Sequence, residues 1–419
     1  MKLAVVGGGS TYTPEVVDGL VRLRAQLPVD DLSLHDTNDE RLRVVSGLAQ
    51  RMLQRAGHPA NVVTTTRLEE AVEGADAVLI QIRVGGQAAR MTDESVPLAC
   101  GCLGQETTGF GGLAKALRTV PVVLGIADTA RAYPPDAWIV DFTNPVGIVT
   151  KGLLDAGHRA VGLCSAAMVF QRHFAKVLAV EPERIELDHL GLNHLTWEVG
   201  VRLDGEDVLP ALLSDEHVER VARATGLPAQ LVQRLGTVPS YYLHYFYEHD
   251  AVVAEQQRAK SRAEVVSEIE AELLHLYADA MLDEKPELLQ QRGGAGYSEA
   301  AVELIASLLG SAGEARHVIN LRNDGALPFL ADDAVVEVPA LVSPHGVAPA
   351  PLPQLSALER GLVAHVSAYE DLALQAALHG GRERVFQALL AHPLVGQAEL
   401  ADDLTDRLLA ANKGFLAWA

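Results

Sequence analysis

Residues 3–15 run Leu3-Ala4-Val5-Val6-Gly7-Gly8-Gly9-Ser10-Thr11-Tyr12-Thr13-Pro14-Glu15, and the fold turns on how this stretch is read. Four apolar residues make a short buried strand, and the glycines follow at once. Pro14 suits the first turn of a helix, where no amide hydrogen is needed. Helical spacing then continues through Val16, Val17, Leu20, Val21 and Leu23. A glycine turn between strand and helix lets backbone amides approach a pyrophosphate at the helix N-terminus. The pattern G-x-G-x-x-G is not completed, because Tyr12 stands where the third glycine belongs. A plain tight turn is therefore the competing reading.

The next strand, Leu32–His35, is closed by Asp36, 27 residues beyond Gly9. A carboxylate there can accept hydrogen bonds from an adenosine ribose and repels a 2′-phosphate, so NAD is favoured over NADP. Further outward come an amphipathic helix over 42–53 and apolar runs at Ala77–Ile82, Trp138–Phe142 and Ala160–Leu163. Strands alternating with helices predict βαβ units and a parallel sheet. Residues 1–195 thus read as a Rossmann-type, doubly wound α/β domain that binds NAD.

Beyond residue 195 the pattern changes. Apolar spacing predicts helices within 215–235, 252–282, 296–311 and 355–394. Val335–Val342 is a β run with an internal proline, which predicts an edge strand, and the proline-rich 344–354 predicts a loop or extended segment. Residues 196–419 read as a mainly helical α+β domain serving substrate binding and oligomerisation.

Composition narrows the function. Of 419 residues, 48% are hydrophobic and 21% charged, which excludes disorder as the working state. The net charge of −21 opposes nucleic-acid or anionic-membrane binding, since phosphate contacts need clustered cations. Three cysteines, Cys100, Cys102 and Cys164, argue against a disulfide framework and fit a reducing cytoplasm. No run is expected to reach the roughly 18 apolar residues of a membrane span.

In doubly wound sheets ligands bind beyond the carboxyl ends of the strands. Those ends carry Arg83-Val84-Gly85-Gly86 with Arg90, then Thr143-Asn144-Pro145, then Cys164-Ser165. Gly104-Gln105-Glu106-Thr107-Thr108-Gly109 lies between them. Cys164 alone reads as a small buried hydrophobe, and His194, in Gly191-Leu192-Asn193-His194-Leu195, as structural. Together they offer sulfur and nitrogen ligands to one divalent metal. Four of the nine tyrosines fall within 241–247, either packing in a core or supplying a phenol as general base. Arg262 opens a long helix, where a cation opposes the dipole and so answers to an anionic partner.

In this order the clusters resemble the NAD- and metal-dependent glycoside hydrolases of family 4, particularly the 6-phospho-β-glucosidase branch. The stretches that carry the resemblance are VVGGGSTYTPE (5–15), GQETTG (104–109), DFTNPVG (141–147), GLC (162–164) and GLNHL (191–195). Tyr242-Leu243-His244-Tyr245, RGG with YS (292–298) and RNDG (322–325) complete them. The resemblance implies an architecture like that of lactate and malate dehydrogenases, and a homodimer or homotetramer. It implies that Gly7, Gly8, Gly9, Ser10, Thr11 and Asp36 hold NAD, and that Cys164 and His194 hold a divalent metal, usually manganese. Tyr242 would be the base, with Tyr241 beside it leaving the register open by one, and Glu106 would raise its basicity. Arg90, Asn144, Ser165, Asn193 and Arg262 would contact the sugar or its phosphate.

The implied chemistry departs from glycosidases that use two carboxylates. NAD takes hydride from C3, the metal polarises the ketone, and the tyrosine removes the C2 proton. The aglycone is eliminated, water adds at C1, and the hydride returns, with no net redox. Where the family commonly has asparagine or aspartate after the metal cysteine, this chain has Ser165, which cannot protonate a leaving group well. That disfavours the α-glycosidase branch and leaves the sugar open. The alternatives are a glycosidase of the same family acting on unphosphorylated or other sugars, a malate/lactate-like NAD dehydrogenase, and a non-catalytic NAD sensor. The dehydrogenase reading leaves Cys164 and the tyrosines unexplained.

Overall fold

The computed structural model describes residues 1–133, 136–293 and 297–419, without the side chains of Tyr297 and Ser298. Gly294 and those two side chains, part of the quoted 292–298 stretch, therefore lie outside the described residues. The first half builds six parallel strands: β1 (Lys2–Val6), β2 (Asp31–His35), β3 (Asn61–Thr65), β4 (Ala77–Ile80), β5 (Trp138–Asp141) and β6 (Ala160–Gly162). Their order is β3-β2-β1-β4-β5-β6, the doubly wound arrangement, with the glycine turn of β1 at the point where the order reverses. Every residue of β4 and β5 is buried, as helices on both faces require. β3 escapes sequence reading because Asn-Val-Val-Thr-Thr is mostly exposed and has no apolar run.

The sheet does not stop at β6. The second half adds β7 (Ile185–Leu192), β8 (Leu195–Leu203), β9 (Glu206–Asp207), β10 (Val238–Pro239), β11 (Ala315–Arg322), β12 (Val335–Ser343) and β13 (Gly346–Pro349). β11 joins β6 antiparallel at Asn320↔Gly162, and β12 joins β7 at Glu337↔Gly191, so one 13-stranded sheet crosses the molecule. The β7–β8 hairpin straddles residue 195, the predicted division. β12 matches the predicted β run at Val335–Val342, whereas β7, β8 and β11 hide from apolar spacing because they carry His189, Glu198 and Asn320, all fully buried.

One local expectation needs correction. β12 is an interior strand despite Pro339: its flank opposite β11 is shared by β7 at Glu337 and β13 from Ala340 onward. The proline's missing amide falls between those two short partners. The 344–354 segment is loop with an extended part, β13, as its composition predicts.

The helix Gly109–Ala132 is long and apolar enough to cross a membrane by length and composition, contrary to the expectation that no run would be. It is a core helix, with 78% of its most apolar stretch buried in the protein. The predicted 252–282 helix divides into His249–Gln256 and Arg262–Tyr277, because Ser261 and Glu264 form a capping box that restarts the helix.

Candidate active site

The glycine turn is built by close approach. Gly7 has φ +91°, and a Cβ there would sit 2.6 Å from the Gln81 carbonyl oxygen. A Cβ on Gly8 would sit 2.9 Å from Leu34 Cβ, and one on Gly9 2.8 Å from Asp36 Oδ2. None of the three positions has room for a side chain. Asp36 accepts the Gly9 amide at 3.0 Å and the Asn38 amide at 2.9 Å, which ties the turn to the end of β2. Gly7, Gly9, Ser10, Asp36 and Arg41 line one wall of a cleft of about 1080 Å³. Glu270 and Arg292 line the opposite wall, paired at 2.8 Å. Thr11 turns inward instead, its carbonyl accepting from the Tyr277 hydroxyl.

Arg83 also lines the cleft, at the end where β4 gives way to loop, and it pairs with Glu106. Glu106 is buried under two further cations, with Lys115 Nζ at 2.7 Å and Arg90 Nη2 at 3.3 Å. Arg90 in turn donates to Glu94 at 2.7 Å, and Glu94 accepts the Ala263 amide at 2.8 Å. One carboxylate thus helps cap the helix Arg262–Tyr277 while orienting an arginine of the site.

Next to Glu106, Thr107 Oγ1 lies 2.9 Å from His194 Nδ1. Thr107 gives its only hydroxyl hydrogen to Gln105 Oε1 at 2.8 Å. With the hydroxyl hydrogen so directed, the oxygen accepts from His194, the arrangement that puts the imidazole hydrogen on Nδ1 and frees the Nε2 lone pair. His194, in a left-handed conformation at φ +62°, stacks on Tyr242 with ring centroids 3.6 Å apart and planes 8° from parallel. Tyr241 points elsewhere, 50% exposed and packed on His244 and Tyr245.

Charge states follow from burial. Burial pushes the His194 pKa down to about 4, so the ring is neutral. Burial would raise Glu106, but Arg83, Lys115 and Arg90 outweigh it and hold the carboxyl well below its usual range. Lys115 is brought down to about 7, by burial first and then by Arg83. Burial, followed by the charges of Cys164, Tyr245 and Glu106, raises Tyr242 far above an ordinary phenol. A tyrosinate formed there has a strong hold on a proton.

Cys164 and His194 are both buried, and Tyr242 senses both Cys164 and Glu106. A thiol and a neutral imidazole with Nε2 free are the donor chemistry of a divalent metal site. No cluster of three His, Cys, Asp or Glu ligands occurs among the described residues, so water and substrate oxygens would complete the shell. Asn144, in a cis peptide with Pro145 beyond β5, has a buried Oδ1 without a hydrogen-bond partner, ready for a ligand.

With this geometry in hand, comparison with known proteins is decisive. The profile of the family 4 glycosyl hydrolases matches residues 2–180, and that of their C-terminal domain matches 189–395. This chain is a family 4 glycosyl hydrolase. It is 37% identical to the "Probable 6-phospho-beta-glucosidase" of Bacillus subtilis, over 99% of this chain and 97% of that one. The solved 6-phospho-beta glucosidase of Thermotoga maritima, with manganese, NAD+ and glucose-6-phosphate, superposes with a TM-score of 0.91 at 32% identity, covering 99% of each chain. Malate dehydrogenase from Plasmodium falciparum shares only the fold, with a TM-score of 0.56 at 14% identity over 90% of this chain and 99% of that one.

In this family 4 glycosyl hydrolase, the structure gathers Cys164, His194, Tyr242 and Glu106, with Arg90 beside them. Asn193 donates to Glu337 at 2.8 Å. Ser165 sits at the N-cap of the helix Ala166–Leu178 without capping it. Arg262 is not brought into this group: it is exposed, and its Nη2 donates to the carbonyls of Gln291 and Arg292. Its charge also reaches Tyr241, the neighbour of Tyr242.

Sequence reasoning assigned no role to Arg83, Gln105, Thr107, Lys115 or Glu337. Lys115 and Glu337 did leave a signal, as lone charges inside the apolar runs Phe110–Leu117 and Val335–Val338.

Proposed function

We propose that this enzyme is a 6-phospho-β-glucosidase that uses NAD and a divalent metal, Mn²⁺ foremost, and cleaves its substrate by oxidation at C3 and elimination across C2–C1. The observation that carries this reading is the His194–Tyr242 stack, with Cys164 and Glu106 around it, joined to the dinucleotide-type cleft through the Arg83–Glu106 pair. NAD supplies a reversible hydride acceptor at C3, and the metal supplies polarisation of the C3 oxygen, which acidifies the C2 hydrogen.

The chain's own residues do the rest. Gly7, Gly8, Gly9, Ser10 and Thr11 form the turn that receives the pyrophosphate, and Asp36 faces the ribose. Cys164 and His194 Nε2 are the metal donors. Tyr242 takes the C2 proton, and the charge of Glu106 strengthens its hold on that proton. Three cations, Arg83, Arg90 and Lys115, face two carboxylates, Glu94 and Glu106. Two of the cations are guanidiniums, charged at any working pH and shaped for phosphate oxygens, which in a chain of net charge −21 supports a phosphorylated rather than a neutral sugar. Asn144 Oδ1 and Asn193 stand where sugar hydroxyls would be held. Ser165 offers no carboxylic acid to a leaving group, which supports the β reading.

We also place the enzyme in the cytoplasm, since none of its three cysteines forms a disulfide, and read it as a homodimer or homotetramer. Exposed Leu358, Leu378 and Leu390 on second-half helices support association, and light scattering counts the subunits.

The test is nitrophenol release from the 6-phospho-β-glucoside and the plain β-glucoside, with Mn²⁺ or NAD withheld in turn. Release that needs both, prefers the phosphorylated substrate and accumulates no NADH is expected. NADH accumulating with substrate loss would point to a dehydrogenase instead.

A further inference from the structure

Glu337 occupies a crossing that the proposed reaction leaves unused. On β12 it pairs with Gly191 of β7 on one side and Asn320 of β11 on the other. Asn320 also pairs with Gly162 of β6. Gly191 lies three residues before His194 and Gly162 two before Cys164, so the routes to both metal donors meet at this one side chain.

The carboxylate is 1% exposed and accepts three hydrogen bonds: from Asn193 Nδ2 at 2.8 Å, Asn320 Nδ2 at 2.8 Å and His189 Nε2 at 3.0 Å. His189 is held from its other side by Glu198, 2.6 Å from Nδ1. A fourth valine at 337 would suit a strand reading Val-Val-Glu-Val better than a charge does, because a buried carboxylate pays heavily for lost hydration. Every hydrogen bond it makes runs to a neighbouring strand or to the Asn193-His194 turn.

We infer that Glu337 is a positioning residue for the metal: it fixes the separation of Cys164 and His194, and places a buried negative charge behind them. This rests on the assignment of Cys164 and His194 as ligands under the proposed function. Outer partners of metal ligands typically govern affinity by 10–100-fold.

The experiment measures Mn²⁺ binding to the full-length protein by electron paramagnetic resonance of the free ion, alongside NAD affinity and melting temperature. Glu337→Gln, nearly isosteric, is expected to weaken Mn²⁺ about 10–100-fold with NAD affinity within about twofold of wild type. Asn320→Ala, which cuts only the Cys164 side of the crossing, is expected to weaken Mn²⁺ about tenfold. A folded Glu337→Gln protein with unchanged Mn²⁺ affinity overturns the inference and leaves the ligand assignment standing. Unchanged Mn²⁺ affinity in Cys164→Ala overturns the ligand assignment and the inference with it. Should Glu337→Gln fail to fold, Asn320→Ala decides: weakened Mn²⁺ supports the inference, and unchanged Mn²⁺ overturns it.

Discussion

At the dinucleotide end of the cleft, Gly7, Gly9 and Ser10 present backbone, and one carboxylate from the next strand holds the turn. Beyond Arg83, which lines the cleft and pairs with Glu106, lies the other end of the site, where Cys164, His194, Tyr242 and Glu106 present side chains gathered from four separate segments. The first end is organised locally, by the glycine turn that leaves β1 and the acid that closes the adjacent parallel strand β2. The second is assembled by an antiparallel extension of the sheet that brings β7, β11 and β12 alongside β6. A backbone site tolerates no added atoms, whereas a side-chain site tolerates no lost ones. The two ends should therefore fail differently when mutated.

Tyr242→Phe deletes one oxygen and tests this most severely. Turnover should fall about a thousandfold, within the range usual for loss of a general base, while Mn²⁺ and NAD affinities stay near wild type. Tyr241→Phe should retain turnover; if it does not, the register is off by one. At the opposite end Gly7→Ala adds one carbon against the Gln81 carbonyl at positive φ. NAD affinity by calorimetry should drop about a hundredfold, and the strained backbone should cost about 1–3 kcal/mol of stability.

Two milder substitutions sharpen the division. Thr107→Val removes the acceptor that sets the His194 tautomer and should weaken Mn²⁺ about tenfold, leaving NAD unaffected. Asp36→Ala should do the converse, weakening NAD about tenfold and narrowing the preference over NADP. An Asp36→Ala protein with wild-type NAD affinity would show that the ribose contact does not exist.

The smallest expected effect is one of pH. Glu370 lies against Gly147, and burial, followed by the charge of Asp371, raises its pKa to about 8. The folded protein therefore holds a proton that the unfolded chain releases at ordinary carboxylate pH. Stability on this account falls as pH climbs toward about 8 and is regained on acidification. Glu370→Gln should raise the melting temperature by a few degrees more at pH 8 than at pH 5. Equal gains at both pH values would place the ionised form in the folded protein.

The same contrast explains what was legible in the sequence. The turn after β1, Asp36 and the doubly wound alternation of strand and helix could be read because parallel strands buried on both faces leave apolar runs with glycines at their ends. Cys164, His194 and Tyr242 were reachable only through resemblance, since no short spacing links them. The crossing at Glu337 left only a lone charge in a readable β run, because its partners β7, β8 and β11 hide polar and charged residues inside a sheet and so lack the pattern of buried strands. Pro339 misled for a related reason: the residue rule sees one missing amide, while the sheet supplies a gap between two partners at that position.

The central claim is that the side-chain end breaks a C2–H bond, and hydrolysis in D₂O tests it most directly. The glucose 6-phosphate produced from a 6-phospho-β-glucoside should carry deuterium at C2, because the proton taken by Tyr242 exchanges with solvent before it returns. Product with ordinary hydrogen retained at C2 would contradict elimination and move the chemistry away from Tyr242.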